Sequence, residues 1–351
     1  MKASLNAHPD QAESDGNSGF GGNPTVQLMA EFVEGGGAQL DDEAGIDRLV
    51  QGLFSLTEGE LSVAALVGVG ERAVPALRRV LLQGQPSTVY LPRQRVVRTL
   101  AELGAFWVLK EYLLQEKKIK DPDLRLAEEA VENTAARELA RNQSEENCCV
   151  LLGLVMQRKL PGAVEALAQF RQDAAAPALV AALESDFCRN AAVEGIRPIY
   201  KAAVPYLIES ARSPEPSRSE ESATSLRRRR AAIRLLAEQG VEANVWPSLE
   251  FLLHETDEWL QSCAAEIAFR LHRTEPALRV LLTHLTSDDW VLVDEIAHFL
   301  RQHLSSVRDA MVRELERASA SSDAEKVKRC RLLRWILKPG TGVTSGENQV
   351  A

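Results

Sequence analysis

One carboxylate–imidazole pair in the sequence has the spacing of a helix-borne metal site. Glu295 and His298 are three residues apart, so both side chains fall on one face of a helix, as in helical di-iron ligand sets. A metal centre needs several such ligands, and the remaining histidines do not repeat the pattern. We therefore interpret the pair as solvated or locally paired side chains, and we predict no metal or other cofactor.

Nucleophile and phosphate-binding motifs are also missing from the sequence. It has no GxSxG, GxxxxGK[ST], HExxH or GxGxxG pattern. The nearest glycine-rich string, Gly19–Gly22, lies in a polar stretch without a preceding strand, which is typical of a linker rather than a phosphate-binding loop. The sequence therefore predicts that the protein is not an enzyme.

Two basic clusters could instead bind an anionic partner. Arg227–Arg230 opens one predicted helix, and Lys326–Lys338 forms another in which basic and apolar residues alternate. The candidate residues for such a partner are Arg227, Arg228, Lys328, Arg331 and Arg334. The formal charge of −9 disfavours general nucleic-acid binding, because proteins that depend on phosphate contacts carry basic domains. Binding of nucleic acid or another anionic surface stays open as an alternative.

The elements that position these side chains are predicted to be helices. Aromatic residues make up 5% of the chain and apolar residues 45%, with alanine and leucine prominent, which favours packed helices over sheets. Residues 1–40 are acidic, rich in Gly, Ser and Asn, and largely without periodicity, so we predict a mostly disordered leader. Residues 338–351 have the same character and are predicted to form a disordered tail.

A recurring pattern links the helices between these ends. A glycine or polar break followed by a predicted helix recurs along the chain. Most of these segments have a proline in the first helical turn, where a backbone N–H has no partner within the helix and its loss does not destabilise the helix. These prolines are Pro75, Pro177, Pro205, Pro247 and Pro276. The preceding helices share a polar start, an arginine and an Ala- or Leu-rich run, as in DPDLRLAEEA and SLRRRRAAIRLLAEQG.

This two-helix pattern resembles HEAT repeats, in particular the short HEAT-like (PBS-lyase-type) repeats of bacterial proteins. The resemblance implies an all-α fold, a right-handed α-solenoid (superhelix) of about seven helical pairs over residues 41–337. It also implies that Arg229 or Arg230 reaches the carboxylate of a neighbouring repeat. HEAT-like families include metalloenzymes that use several His-Glu dipeptides; here only His254-Glu255 has that form. Bilin lyases and alkyl-DNA glycosylases also share the repeat, so a divergent HEAT-like lyase or metalloenzyme stays a further alternative.

The resemblance implies an interaction scaffold that binds a protein partner on the exposed side of its second helices. The candidate residues, which fall between core leucines, are Arg78, Arg79, Lys110, Glu209, Glu250 and Arg279. Trp259 and Trp290 each follow two acids at a helix start and are expected to pack between repeats.

The cellular compartment is predicted from the cysteines and the apolar stretches. The five cysteines have no metal-ligand spacing and are odd in number, which predicts free thiols in a reducing compartment. The sequence shows no signal peptide and no stretch long enough for a transmembrane segment. A cytoplasmic location is therefore expected.

Overall fold

Helices form nearly all the regular structure in the computed structural model, which describes residues 42–214, 216–217, 220–319 and 324–338. Within this part of the chain, the only β-structure is the antiparallel pairing of Pro216–Ser217 with Glu220–Glu221. The predicted all-α class is therefore confirmed. The predicted leader at 1–40 and residues 339–351 of the predicted tail lie outside the described residues.

The contacts divide the chain into two units, with the boundary between Val131 and Glu132. The first unit contains α1 (Glu43–Gly52), α2 (Gly59–Val69), α3 (Val74–Gln83), α4 (Leu91–Glu102), α5 (Phe106–Leu114) and the first half of α6 (Pro122–Leu139). In it, α2 packs against α4, and α3 packs against α5. Helices two places apart in the chain are thus neighbours, as expected for stacked helical pairs.

The second unit continues the same alternation. Its helices are the rest of α6, α7 (Glu145–Arg158), α8 (Pro161–Phe170), α9 (Ala176–Ala182), α10 (Arg189–Ile196), α11 (Tyr200–Arg212), α12 (Ala223–Gln239), α13 (Glu258–Arg270), α14 (Thr274–His284), α15 (Trp290–Gln302), α16 (Leu304–Ser319) and α17 (Ala324–Leu337). In one row of helices, called the first row here, α8 packs against α10, α12 against α13, α13 against α15, and α15 against α17. In the second row, α7 packs against α9 and α9 against α11.

The prolines mark helix starts at three of the five predicted positions. Pro75 and Pro177 lie at the start of α3 and α9, and Pro276 lies in the first turn of α14. The prediction is wrong for Pro205, which lies inside α11 because a 3-10 turn at Arg197–Ile199 leads directly into this helix. It is also wrong for Pro247.

Pro247 lies in the middle of a 3-10 turn, and the α-helix expected around it does not form. Two consecutive 3-10 turns, Ala243–Ser248 and Glu250–His254, take the place of the second helix of that pair. A proline inside a helix removes a backbone donor and clashes with the preceding turn, which explains the interruption. Trp246 and Leu249 are still fully buried, so the segment fills the core without a regular α-helix.

Small residues allow the first-row helices to approach closely. A Cβ atom on Gly195 of α10 would lie 2.6 Å from the Cβ of Ala168 on α8. A Cβ on Gly162 would lie 2.4 Å from the backbone oxygen of Asn133, whose side-chain oxygen accepts the Gly162 N–H at 2.6 Å. The core between the rows is formed by fully buried leucines such as Leu77 and Leu207.

Buried arginines at the start of first-row helices connect neighbouring pairs. The guanidinium of Arg93 on α4 donates to the backbone oxygen of Leu81 at 2.8 Å and pairs with Glu128 on α6. Arg229 donates to the backbone oxygen of Ala211 at 2.9 Å and pairs with Glu255 at 2.6 Å. The expected link between an arginine and the carboxylate of a neighbouring repeat is thus confirmed at Arg229.

Candidate protein-binding groove

An apolar groove of about 660 Å³ lies between α15 and α17 in the second unit. Each helix lines it with four residues at positions i, i+3, i+4 and i+7, which form one face of a helix. The lining residues of α15 are Trp290, Val293, Asp294 and Ala297, and those of α17 are Lys328, Arg331, Leu332 and Trp335. Ser287 and Asp288, just before α15, complete the lining.

The two helices run in the same direction along the groove. At one end, the Lys328 ammonium donates to the backbone oxygens of Thr286 (3.1 Å) and Ser287 (2.7 Å), just before α15 begins. At the other end, Arg301 in the last turn of α15 stacks on the ring of Trp335 in the last turn of α17. Trp290 and Trp335 therefore mark opposite ends of the groove, whose lining spans seven residues along each helix, roughly 10 Å at 1.5 Å per residue.

Both tryptophans are exposed, whereas the floor of the groove is buried. Trp290 is 77% exposed and Trp335 46% exposed, but Val293 and Ala297 are buried. Large apolar side chains gathered around a concave surface mark interaction sites more often than scattered exposed residues do. Among the described residues, no other helix contributes to the lining of this groove.

The charged residues of the groove are divided between its two walls. Asp288 and Asp294 lie on the α15 side, and Lys328 and Arg331 lie on the α17 side. Lys328 and Asp288 form an exposed ion pair with an N–O distance of 3.8 Å. Asp294 and Arg331 have no hydrogen-bond or ion-pair partner among the described residues. One acidic and one basic group therefore face the groove uncompensated.

The start of α15 is held by contacts from α13 and its N-cap. Asp289 caps α15 by accepting the backbone N–H groups of Val291 (3.1 Å) and Leu292 (3.2 Å), and it also accepts the indole N–H of Trp259 (2.7 Å). These hydrogen bonds to the charged form lower the pKa of Asp289, with the Trp259 bond as the main cause. The backbone around Trp290 is thus fixed before any partner binds.

Residues 162–185 match the PBS lyase HEAT-like repeat. They cover most of α8, the turn after it, α9 and the loop that follows. The chain therefore contains a HEAT-like repeat. No curated protein matches the chain.

Three of the predicted partner-binding residues lie in the first unit. Arg78 forms a two-point ion pair with Glu111 (2.5 and 2.9 Å), and its guanidinium lies 5.9 Å from the ring centroid of Trp107. The hydrogen bond from Arg78 lowers the pKa of Glu111. Arg79 is exposed on the same helix, and Lys110 is half-buried on α5. The Arg78–Glu111 pair already satisfies the charges in the small cleft between α3 and α5.

The other three predicted residues lie on separate elements of the second unit. Glu209 accepts a hydrogen bond from the hydroxyl of Ser213 (2.6 Å). Glu250 lies 4.0 Å from Arg273, and Arg279 pairs with Glu275 at 3.3 Å. No hydrogen bond or ion pair joins Glu209, Glu250 and Arg279 to one another in the described structure.

The first basic cluster is used within the repeats themselves. Arg227 pairs with Asp186 at 3.4 Å, Arg228 with Glu184 at 3.7 Å, and Arg230 with Asp257. Arg229 is 2% exposed. Arg227, Arg228 and Arg230 are therefore each paired within the protein, and the side chains of Arg227 and Arg230 stay 41% exposed. The acids that pair with them come from neighbouring pairs and could not be assigned from local sequence.

The second basic cluster divides into two faces of α17. Cys330, Leu333 and Ile336 are buried, and Arg329 pairs with Glu314 of α16 at 3.0 Å. Lys328 and Arg331 line the groove, whereas Arg334 is exposed outside it. The structure thus combines two predicted anion-binding residues with two tryptophans, in a site that the sequence analysis did not predict.

Trp259 and Trp290 differ in the structure although their sequence contexts match. Trp259 connects two repeats through its hydrogen bond to Asp289, as predicted. The prediction that Trp290 packs between repeats is wrong, because its ring is exposed at the rim of the groove. A sequence signal for this role existed, because the apolar face of α15 formed by Val293, Ile296, Ala297 and Leu300 continues to Trp290.

The residues that could bind a metal do not come together. Glu295 pairs with Arg234, and the ring of His298 contacts the amide of Gln302 at 2.8 Å. Within the described residues, no group of three or more His, Cys, Asp or Glu side chains is placed to hold a metal ion.

All five cysteines are free thiols, and burial raises the pKa of Cys148 and Cys188.

No helix in the described part of the chain combines the length and the apolarity that crossing a membrane requires.

Proposed function

We propose that the protein is a non-catalytic interaction scaffold that holds a segment of a protein partner in the groove between α15 and α17. The observation that carries this proposal is the pair of exposed tryptophans at the two ends of one apolar groove. Tryptophan and arginine are enriched among the residues that dominate binding energy at protein interfaces, and both types line this groove.

The HEAT-like repeat supports this proposal, since helical repeats provide extended binding surfaces. The polar surface of the second helices is a weaker candidate because its charges are largely paired within the protein. Arg78 with Glu111 and Arg279 with Glu275 are exposed ion pairs. A partner that binds these charged groups must first displace their existing contacts. The five free cysteines support a reducing compartment, and we place the protein in the cytoplasm.

The test compares partner capture by matched tryptophan variants. The tagged protein is used to capture partners from its own cells, and binding of the purified partner is then measured by isothermal titration calorimetry. Trp290→Ala and Trp335→Ala are each expected to weaken binding at least tenfold. Trp107→Ala is the control, because Trp107 is also exposed (54%) but lies on α5. Binding that is insensitive to Trp290→Ala and Trp335→Ala but lost with Arg78→Glu or Arg279→Glu would move the site to the second helices.

One observation favours binding of an anionic surface as a second candidate. Arg331 and Arg334 on α17 are exposed and have no partner in the described part of the chain. A titration of a random-sequence oligonucleotide over increasing salt tests this function, because phosphate contacts weaken steeply with salt. Arg331→Ala and Arg334→Ala should each reduce the slope if the oligonucleotide binds there, whereas Arg227→Ala should not.

A further inference from the structure

The geometry of the groove points to one kind of occupant, and this inference rests on the scaffold function proposed above. We infer that the groove takes an amphipathic α-helix of the partner, whose apolar stripe lies between one basic flank and one acidic flank. Backbone chemistry, length and charge each lead to this occupant.

The first argument is the backbone chemistry of the lining. An extended peptide needs partners for its backbone N–H and C=O groups, because leaving them buried and unpaired is costly. The lining residues include no asparagine or glutamine, and both walls are helices whose backbone groups are bonded internally. A helical segment satisfies its own backbone and needs only apolar contacts from such a surface, as in helix-in-groove recognition.

The second argument is the length of the groove. The lining spans seven residues along each helix, roughly 10 Å, which equals about two turns of an α-helix. Anchors at positions i, i+3, i+4 and i+7 of a bound helix would reach the apolar floor formed by Val293, Ala297 and Leu332 between the two tryptophans. The apolar contact therefore covers about two turns of the occupant.

The third argument is the division of charge between the walls. The carboxylate of Asp294 faces the groove from α15, and the guanidinium of Arg331 faces it from α17, each without a partner in the described structure. A helix lying between them gains from lysine or arginine on the side of Asp294 and from glutamate or aspartate on the side of Arg331. A helix with one charge sign on both flanks would meet one like charge, which disfavours binding.

The experiment uses three synthetic 16-residue peptides with the same leucine stripe. One has lysine along one flank and glutamate along the other, one has glutamate on both flanks, and one has lysine on both. Binding to the full chain is measured by fluorescence anisotropy. The peptide with mixed flanks is expected to bind at least tenfold tighter than either of the others. A peptide of the same composition with two central prolines, which cannot form the helix, is expected not to bind.

Charge-reversal variants of the protein make the test specific. Asp294→Lys leaves two basic walls, so the glutamate-flanked peptide should become the tightest ligand. Arg331→Glu leaves two acidic walls, so the lysine-flanked peptide should become the tightest. Arg334→Glu is the matched control, because Arg334 is exposed on the same helix but outside the groove, and it should preserve the original order. Circular dichroism checks that each variant is folded.

Several outcomes would overturn the inference while the scaffold proposal stands. These are equal binding of all three peptides, tight binding of the proline peptide, or no peptide binding although partner capture depends on Trp290 and Trp335. A dimer that is lost with Trp290→Ala in sedimentation velocity would assign the groove to a second copy. Tighter peptide binding by a chain that ends at Lys338 would assign it to residues 339–351. Partner capture that is independent of both tryptophans would instead refute the scaffold proposal.

Discussion

The guanidinium carbon of Arg301 lies 4.8 Å from the ring centroid of Trp335, so the last turn of α15 holds the last turn of α17 in place. This contact orders one of the two aromatic ends of the groove in the unbound protein. Ordering an anchor before binding lowers the entropy lost on association. At the opposite end of the groove, the Asp289 cap fixes the start of α15, where Trp290 lies exposed.

Arg301→Met is therefore expected to loosen Trp335 without unfolding the protein. A cation–π contact at an exposed site contributes about 0.5–1 kcal/mol, so the loss of stability should fall in that range. In protein labelled with 5-fluorotryptophan, the ¹⁹F resonance of Trp335 should shift while that of Trp246, which is buried, stays in place. Arg334→Met should change neither resonance, and a change in Trp335 with that variant would contradict the assignment.

Gly195→Ala and Gly153→Ala are expected to change stability in opposite directions. A Cβ on Gly195 would lie 2.6 Å from the Cβ of Ala168, so α8 and α10 must separate, at a cost of about 1–3 kcal/mol. A Cβ on Gly153, inside α7, meets no atom within 4 Å and should stabilise the helix by about 0.5–1 kcal/mol. Urea unfolding measures both values, and a stabilising Gly195→Ala would show that the helices do not meet at this glycine.

Arg229→Ala should be among the most destabilising single substitutions in the second unit. It would leave the carboxylate of Glu255 and the backbone oxygen of Ala211 without their buried donor. Removing one partner of a buried ion pair typically costs about 3–5 kcal/mol. The exposed Arg279→Ala should change the free energy of unfolding by about 0.5 kcal/mol or less. Comparable values for the two variants would show that Arg229 does not connect the repeats.

Glu266 should make the stability of the second unit depend on pH. Burial raises its pKa from 4.5 to about 7, although Arg234 and Arg270 oppose this shift. Between these values the folded protein keeps a proton that the unfolded chain has lost, so stability falls as pH rises through this window. Glu266→Gln should therefore stabilise the protein at pH 8 by up to about 3 kcal/mol and have little effect below pH 4.5.

The measurement for Glu266 is the difference in unfolding free energy between wild type and variant at several pH values. Glu275→Gln is the control, because the Glu275 side chain is exposed and, among the described residues, pairs only with Arg279. A difference for Glu266→Gln that does not grow between pH 5 and pH 8 would show that the carboxyl is already charged in the folded protein.

The repeat architecture could be predicted from the sequence because its determinants are local. A proline in the first turn, leucines at the core spacing and small residues at helix crossings each act within one or two helices. Leu77 and Leu207 are buried as expected, and Pro75 starts α3 as expected. Pro205 and Pro247 show the limit of this approach, since the tertiary structure determined where the flanking helices start.

The charged residues could not be assigned from the sequence because their partners lie in other repeats. Arg227 and Arg228 look free in a run of four arginines, yet Asp186 and Glu184, about forty residues earlier, pair with them. Arg331 is also an arginine among other basic residues in the sequence, but no described residue pairs with it. Exposure and pairing are set by which helices become neighbours, and this is a non-local property.

Taken by itself, the sequence determined the helical class, the two-helix period and the use of buried arginines between pairs, since each depends on residues within a few turns. Only the tertiary structure decided which surface is open. Trp290 and Trp335 are forty-five residues apart in the chain. They face one groove because α17 packs beside α15 in the same direction, leaving on both helices a face that no described helix covers.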